Sequence, residues 1–223
     1  MLGYVFLILV FVIIYWFFTR GRLYKIKWST LRKKSPKPIS DEWFNAVICG
    51  PQGSGKTYLA VYLATLQSKN RCKYIKTNIK SLKLKGYEVR YFEKIQEIYK
   101  DTDNNCIYII DEVSRKYDKS SRTDTNFYAW LMQSRKRCRI VYLITQEFKE
   151  LPMWIRRPLK RSYSTKPLLF FKNIFITTIG DAENMILDKD SLEWTCPPLR
   201  FLIYKRNKCI ADSYDTFEPI NQL

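Results

Sequence analysis

The chain has 223 residues, 46% of them hydrophobic, which is enough for one sizeable domain and an appendage. Its 39 Lys and Arg against 21 Asp and Glu leave a charge of +18, which points to nucleic acid or an anionic lipid surface as partner, the alternative being a well-solvated basic surface. Histidine is absent, excluding His-based triads, His general bases and most zinc sites, and the six cysteines form no C-x-x-C pair, so they read as reduced, structural thiols.

From the start of the chain, Leu2–Phe18 (LGYVFLILVFVIIYWFF) is 17 residues without a charge, the short end of what spans a bilayer. A signal peptide would place basic residues before the apolar run and a small-residue cleavage site after it; here the charges only follow. Tyr15, Trp16, Phe17 and Phe18 form an aromatic edge of interfacial type. Eight basic residues and no acidic one lie between Arg20 and Lys37, which keeps that side cytoplasmic. The expectation is a single-pass anchor (residues 1–19) in a bacterial inner membrane, N-terminus outside. A basic linker punctuated by SPKPIS (residues 20–42) follows. A buried core helix is the alternative. Without the basic block, 31 basic residues still face 21 acidic ones, a net of +10, so a membrane surface does not account for all of the charge.

Beyond the linker, strand-length apolar runs (FNAVICG, CKYIKTN, CIYIID, IVYLITQ) alternate with helical spacing in Thr57–Gln67 and Thr125–Gln133. That alternation predicts an α/β fold with a parallel sheet covered by helices on both faces, here residues 43–165. The remainder, residues 166–223, reads as a β-rich C-terminal extension.

GPQGSGKT, Gly50–Thr57, matches G-x-x-x-x-G-K-[ST] between a predicted strand and a predicted helix. Glycines let successive backbone N–H groups turn inward around a phosphate. Lys56 supplies a point charge to the β/γ-phosphates, Thr57 offers a hydroxyl to Mg²⁺, and the helix aims its positive end at the same anion. Gly50, Pro51, Gln52, Gly53, Ser54, Gly55, Lys56, Thr57 and Tyr58 are the expected nucleotide-binding residues, with ATP and Mg²⁺ as cofactors.

CIYIIDE, Cys106–Glu112, runs from apolar residues into two carboxylates at a strand's end. Asp111 is the expected partner of Thr57 in holding the metal, and Glu112 is expected to orient and deprotonate the attacking water. The tandem pair points to the hydrolytic, motor-like branch of these enzymes, in which an additional strand lies between the phosphate-loop strand and the acidic strand. IVYLITQ fits that strand, and Gln146 at its tip fits a residue sensing the γ-phosphate; the plain alternative is a strand that ends in a polar residue. Arg135, Arg137 and Arg139 in SRKRCR, and Arg156 and Arg157 further on, are candidates for an arginine finger reaching a neighbouring subunit. A solvated or DNA-facing basic patch is the competing reading for the SRKRCR arginines.

The ordered series IKTNIKSL, YIIDE and LMQSRKRCRIVYLITQEFKELPMWIRRPLKR resembles the zonular occludens toxin family, which includes the gene I assembly ATPases of filamentous phages. The matching positions are Thr77 and Asn78, Asp111 and Glu112, the strand ending in Thr145-Gln146, and Ile155-Arg156. Two departures stand out: in the familiar phage members the membrane span follows the ATPase domain, and their basic segment carries a histidine where this chain has Arg135-Lys136. The order of parts also resembles the FtsK–HerA group of DNA pumps. The resemblance implies a membrane-bound ATPase of the additional-strand (RecA-like) type, acting as a homo-oligomeric ring on single-stranded phage DNA or its nucleoprotein, with other phage assembly proteins. A genome-packaging motor of a membrane-containing virus and a non-hydrolysing, nucleotide-bound scaffold that tethers DNA at the membrane are the alternatives.

Overall fold

The computed structural model describes residues 2–20, 43–66, 72, 74–168, 171–188 and 193–215. The basic block beyond Arg20 and the SPKPIS linker lie outside them. The chain falls into two units, Met1–Ser35 and Pro36–Leu223.

In the first unit, α1 (Leu2–Arg20) is an unbroken helix, as expected of an apolar run without Pro. Among the described residues, no helix is long and apolar enough to cross a membrane. The expected transmembrane helix is therefore not supported by the described residues.

The second unit is built on one sheet of eight strands. In chain order they are β1 (Asn45–Cys49), β2 (Tyr74–Thr77), β3 (Glu88–Tyr91), β4 (Cys106–Ile110), β5 (Arg139–Thr145), β6 (Arg161–Leu168), β7 (Phe171–Asp181) and, after a small hairpin of β8 (Ile186–Asp188) with β9 (Glu193–Thr195), β10 (Pro198–Lys205). Their order across the sheet is β10-β7-β6-β1-β5-β4-β2-β3. From β6 to β3 all neighbours are parallel, while β7 pairs antiparallel with both β6 and β10.

Every residue of β1, β4 and β5 is buried, because these strands are covered on both faces; that is why they read as continuous apolar runs. Alternation along the strand then sorts the core. Ala46, Ile48, Ile107, Ile109, Tyr142 and Ile144 pack beneath α2 (Lys56–Thr65). Val47, Tyr108, Ile110, Val141 and Leu143 pack on the other side, beneath α3 (Thr125–Gln133). β5 lies between β1 and β4, where the additional strand is expected.

Two features differ from the sequence expectation. β3, with the sequence EVRY, joins the sheet at its exposed edge, where a charged strand is tolerated because only one side needs covering. The boundary expected between residues 165 and 166 falls inside β6, which pairs with β1 on one side and β7 on the other. The C-terminal extension thus continues the core sheet, since its apolar alternation can be buried only against strands already there.

Candidate active site

The site lies where β1, β4 and β5 end. The backbone N–H of Gly50 donates to the carbonyl of Gln146 at 2.9 Å, tying the phosphate loop to the tip of β5. A Cβ at Gly50 would sit 2.6 Å from the Thr165 carbonyl of β6. The loop turns through a Ser54 N–H to Pro51 carbonyl bond of 3.1 Å. Gly55 adopts φ 80° before α2 begins, and a Cβ there would strike the Phe175 ring at 2.8 Å. Both the turn and the close packing require glycine.

Gln52, Gly53, Gly55, Lys56, Thr57 and Tyr58 line a cavity of about 480 Å³ with Asp111, Glu112 and Gln146. Gly50 and Pro51 form the base of the loop. The hydroxyl of Ser54 is buried with no hydrogen-bond partner among the described residues. Lys56 donates to the Pro51 carbonyl at 3.1 Å. The side chain of Tyr58 turns away from the loop into an aromatic stack with Tyr62, Phe175 and Tyr204, so its backbone is the part available to a ligand.

Across the cavity, Thr57 Oγ1 donates to Asp111 Oδ2 at 2.8 Å. Asp111 is held by a reciprocal pair with Asn78, which follows β2: Asn78 Nδ2 donates to the Asp111 carbonyl at 3.0 Å, and the Asp111 N–H donates to Asn78 Oδ1 at 2.8 Å. Burial pushes the Asp111 carboxyl above its usual range, against the bond from Thr57. Burial also pulls the Lys56 ammonium below its usual range, against the attraction of Asp111. The two opposite charges are thus each left short of solvation, which a divalent cation at Thr57–Asp111 and a polyphosphate at Lys56 would restore. A hydroxyl and a carboxylate oxygen converging in this way fit a hard, oxygen-seeking ion such as Mg²⁺.

Glu112 adopts a left-handed conformation (φ 54°) and forms an ion pair with Arg115 Nε at 2.6 Å. Gln146 is exposed at the tip of β5 and lines the cavity, while Thr145 points inward and donates to Glu150.

The arginine candidates separate. Arg135 is exposed, and Arg137 is half-buried and donates to the Asp101 carbonyl. Arg139 is fully buried, donating to the carbonyls of Asp101 and Asp103 at 2.6 and 2.8 Å. Arg156 is also buried, donating to the carbonyls of Leu151 and Lys149 at 2.6 and 2.7 Å. Arg139 and Arg156 are therefore corrected from finger candidates to structural residues, because their guanidinium groups serve backbone acceptors within this fold. Beside Ser114, Ile144 and Thr145, four further side chains reach the cavity: Arg115, Phe175, Arg206 and Tyr214. Arg115 is legible from its position three residues after Glu112; the other three come from the C-terminal extension and carry no local signal.

The fold is similar to that of the N-terminal domain of zonular occludens toxin from Neisseria meningitidis, with a TM-score of 0.56 and 17% identity over 78% of this chain and all of that one. It is also similar to the genome packaging NTPase B204 from Sulfolobus turreted icosahedral virus 2 in complex with ATP-gammaS. There the TM-score is 0.50 and the identity 14%, over 77% of this chain and 99% of the other. These likenesses bear out the sequence resemblance at the level of fold. No curated protein matches the chain. Residues 46–165, from β1 into β6, match the ATPase family associated with various cellular activities (AAA). With over half of its length so matched, and with the phosphate loop and acidic strand end meeting in one cavity, the chain belongs to the AAA family and is an ATPase.

Proposed function

We propose that this ATPase is a membrane-tethered motor that uses Mg²⁺ and ATP to drive assembly and export of a filamentous phage, or movement of its DNA. It works as a homo-oligomeric ring on the cytoplasmic face of the host inner membrane. The observation that carries the hydrolytic part is the 2.8 Å contact between Thr57 and Asp111, with Glu112 next in the chain. Lys56 and the loop N–H groups hold the phosphates. Glu112 leaves Arg115 to take a proton from the attacking water, and Gln146 orients that water against the terminal phosphate. Magnesium held by Thr57 and Asp111 would neutralise charge on the leaving phosphates.

The cargo reading is supported by the +10 that remains outside the basic block and by the likeness in fold to the toxin domain. The anchor is supported by the uncharged run Leu2–Phe18 and the basic residues behind it. A second reading, loading of a genome into a preformed capsid, is favoured by the likeness to B204, named as a genome packaging NTPase.

The test is ATP turnover by the full chain with and without single-stranded DNA. We expect DNA-stimulated hydrolysis that is lost in Glu112→Gln while ATP still binds; negligible turnover in both proteins overturns the motor. Stimulation by double-stranded DNA alone favours packaging. Reporter fusions after Lys37 should be active only as cytoplasmic reporters, and periplasmic activity overturns the orientation.

A further inference from the structure

The C-terminal extension brings a cation to the nucleotide cavity, and no hydrogen bond or ion pair to a described residue accounts for it. Arg206 follows β10 directly, and its backbone is clamped on both sides. Its own N–H donates to the Asn173 carbonyl at 2.7 Å, and the next N–H, that of Asn207, donates to the Tyr58 hydroxyl at 2.7 Å. Tyr58 belongs to the first turn of α2, immediately after the phosphate loop. Behind the clamp, Tyr58, Phe175 and Tyr204 stack with ring centroids 5.5–6.0 Å apart. The chain then enters a short helix, α4 being Met153–Arg156 and this one α5 (Lys208–Ala211), whose N-cap is Asn207. It is pinned again where the Lys83 N–H donates to the Ser213 carbonyl at 2.7 Å.

On this fixed backbone the Arg206 side chain is exposed and lines the same cavity as Lys56 and Thr57. Its guanidinium makes no hydrogen bond or ion pair with a described residue. The contrast with Arg139 and Arg156 is direct, since each of those spends its donors on backbone carbonyls. Arg206 also acts on Tyr214, which closes the same side of the cavity: burial pushes that phenol up to about 12, and Arg206 pulls against the rise.

We propose that Arg206 is a phosphate-contacting residue supplied in cis by the C-terminal extension, donating to the phosphate chain of the nucleotide held by the loop. The proposal rests on the ATPase reading of the cavity and adds to it a second cation from the same subunit. A planar guanidinium with free donors suits bidentate contact with phosphate oxygens. Because its backbone is tied to β7 and to Tyr58, nucleotide binding would draw directly on the extension.

The test measures ATP affinity of the full chain by isothermal titration for the unmodified protein, Arg206→Ala and Arg206→Lys, with thermal unfolding of each in the absence of nucleotide. Loss of one charge-assisted contact predicts an affinity about tenfold weaker in Arg206→Ala, much of it regained in Arg206→Lys, at unchanged melting temperature. Affinity within twofold of the unmodified protein overturns the proposal. So does a loss of affinity that comes with a lower melting temperature and is not repaired by lysine, which would assign Arg206 to packing. If the unmodified chain itself fails to bind ATP, it is the ATPase reading that falls.

Discussion

The two ends of the same strands are built on opposite principles. At the end where β1, β4 and β5 begin, most charged and polar groups are paired within the fold, although one guanidinium nitrogen of Arg139 and the Trp130 indole nitrogen have no hydrogen-bond partner among the described residues. Arg139 lies over the rings of Tyr108 and Trp130 and donates to two carbonyls. Lys76 forms ion pairs with Asp101 and Asp103, and Tyr108 donates to Asp101. Asn45 donates to the Leu131 carbonyl and accepts from Ser134, tying β1 to the end of α3. At the end where the strands finish, Lys56 has a loop carbonyl, the Ser54 hydroxyl has no partner, Asp111 is buried against a threonine, and Arg206 stands free of ion pairs with described residues. One end therefore contributes stability through internal pairing. The other holds its potential for a ligand, at a cost in stability that the matched end and the core offset.

The largest effect that would test this contrast is on catalysis. Asp111→Asn keeps one acceptor oxygen, for the Glu112 N–H, while its amide can donate to the Thr57 hydroxyl, and it removes the charge proposed to hold the cation. ATP turnover should fall on the order of 10²–10³-fold, while the urea midpoint holds or rises, since burial already disfavours that carboxylate. A marked loss of stability would break the contrast. Arg139→Met should do the reverse. Removing the donors to the Asp101 and Asp103 carbonyls, of which Asp101 keeps the bond from Arg137, should cost about 3 kcal/mol in urea unfolding, with ATP affinity of the folded protein unchanged.

A smaller effect sits at the start of α3, where Asp124 caps the helix through the Asn126 and Phe127 N–H groups and accepts from the Tyr99 and Tyr117 hydroxyls. Burial raises the Asp124 carboxyl, but these bonds outweigh it and hold the group below its ordinary 3.8. With a depressed folded value, the stabilisation is present above 3.8 and lost as pH falls through the lower folded value. Asp124→Ala should therefore cost about 1 kcal/mol or somewhat more at neutral pH, with the penalty shrinking in acid, as unfolding across that range will read. The smallest effect on stability belongs to Arg135→Ala, within about 0.5 kcal/mol. If Arg135 serves a neighbour's nucleotide, mixing this variant into unmodified protein should lower turnover more than in proportion to its share.

How much of this was legible follows from where each signal resides. The loop Gly50–Thr57, the Asp111–Glu112 pair and the tip of β5 are visible in the chain because each is a short stretch whose residue types answer a local demand: glycine for a turn, apolar residues for a strand buried on both faces, carboxylates at its end. The placement of β5 between β1 and β4 was reachable from the tandem acids and bears out the expected sheet. β3 was not, because EVRY has the pattern of a surface segment and becomes a strand only through pairing with β2. The arginines show the limit most clearly: Arg135, Arg139, Arg156 and Arg206 are chemically alike in sequence, and burial alone separates two structural residues from two that face outward.

The linear order of residues determined the phosphate loop and the tandem carboxylates proposed as cation holder and general base, because backbone conformation and strand burial are set over a few neighbouring residues. Folding decided the rest. It merged the extension into the core sheet and brought Phe175, Arg206 and Tyr214 to the cavity from more than 100 residues beyond the loop. Contacts over such separations come from the packing of one continuous sheet, and no local pattern in the chain encodes them.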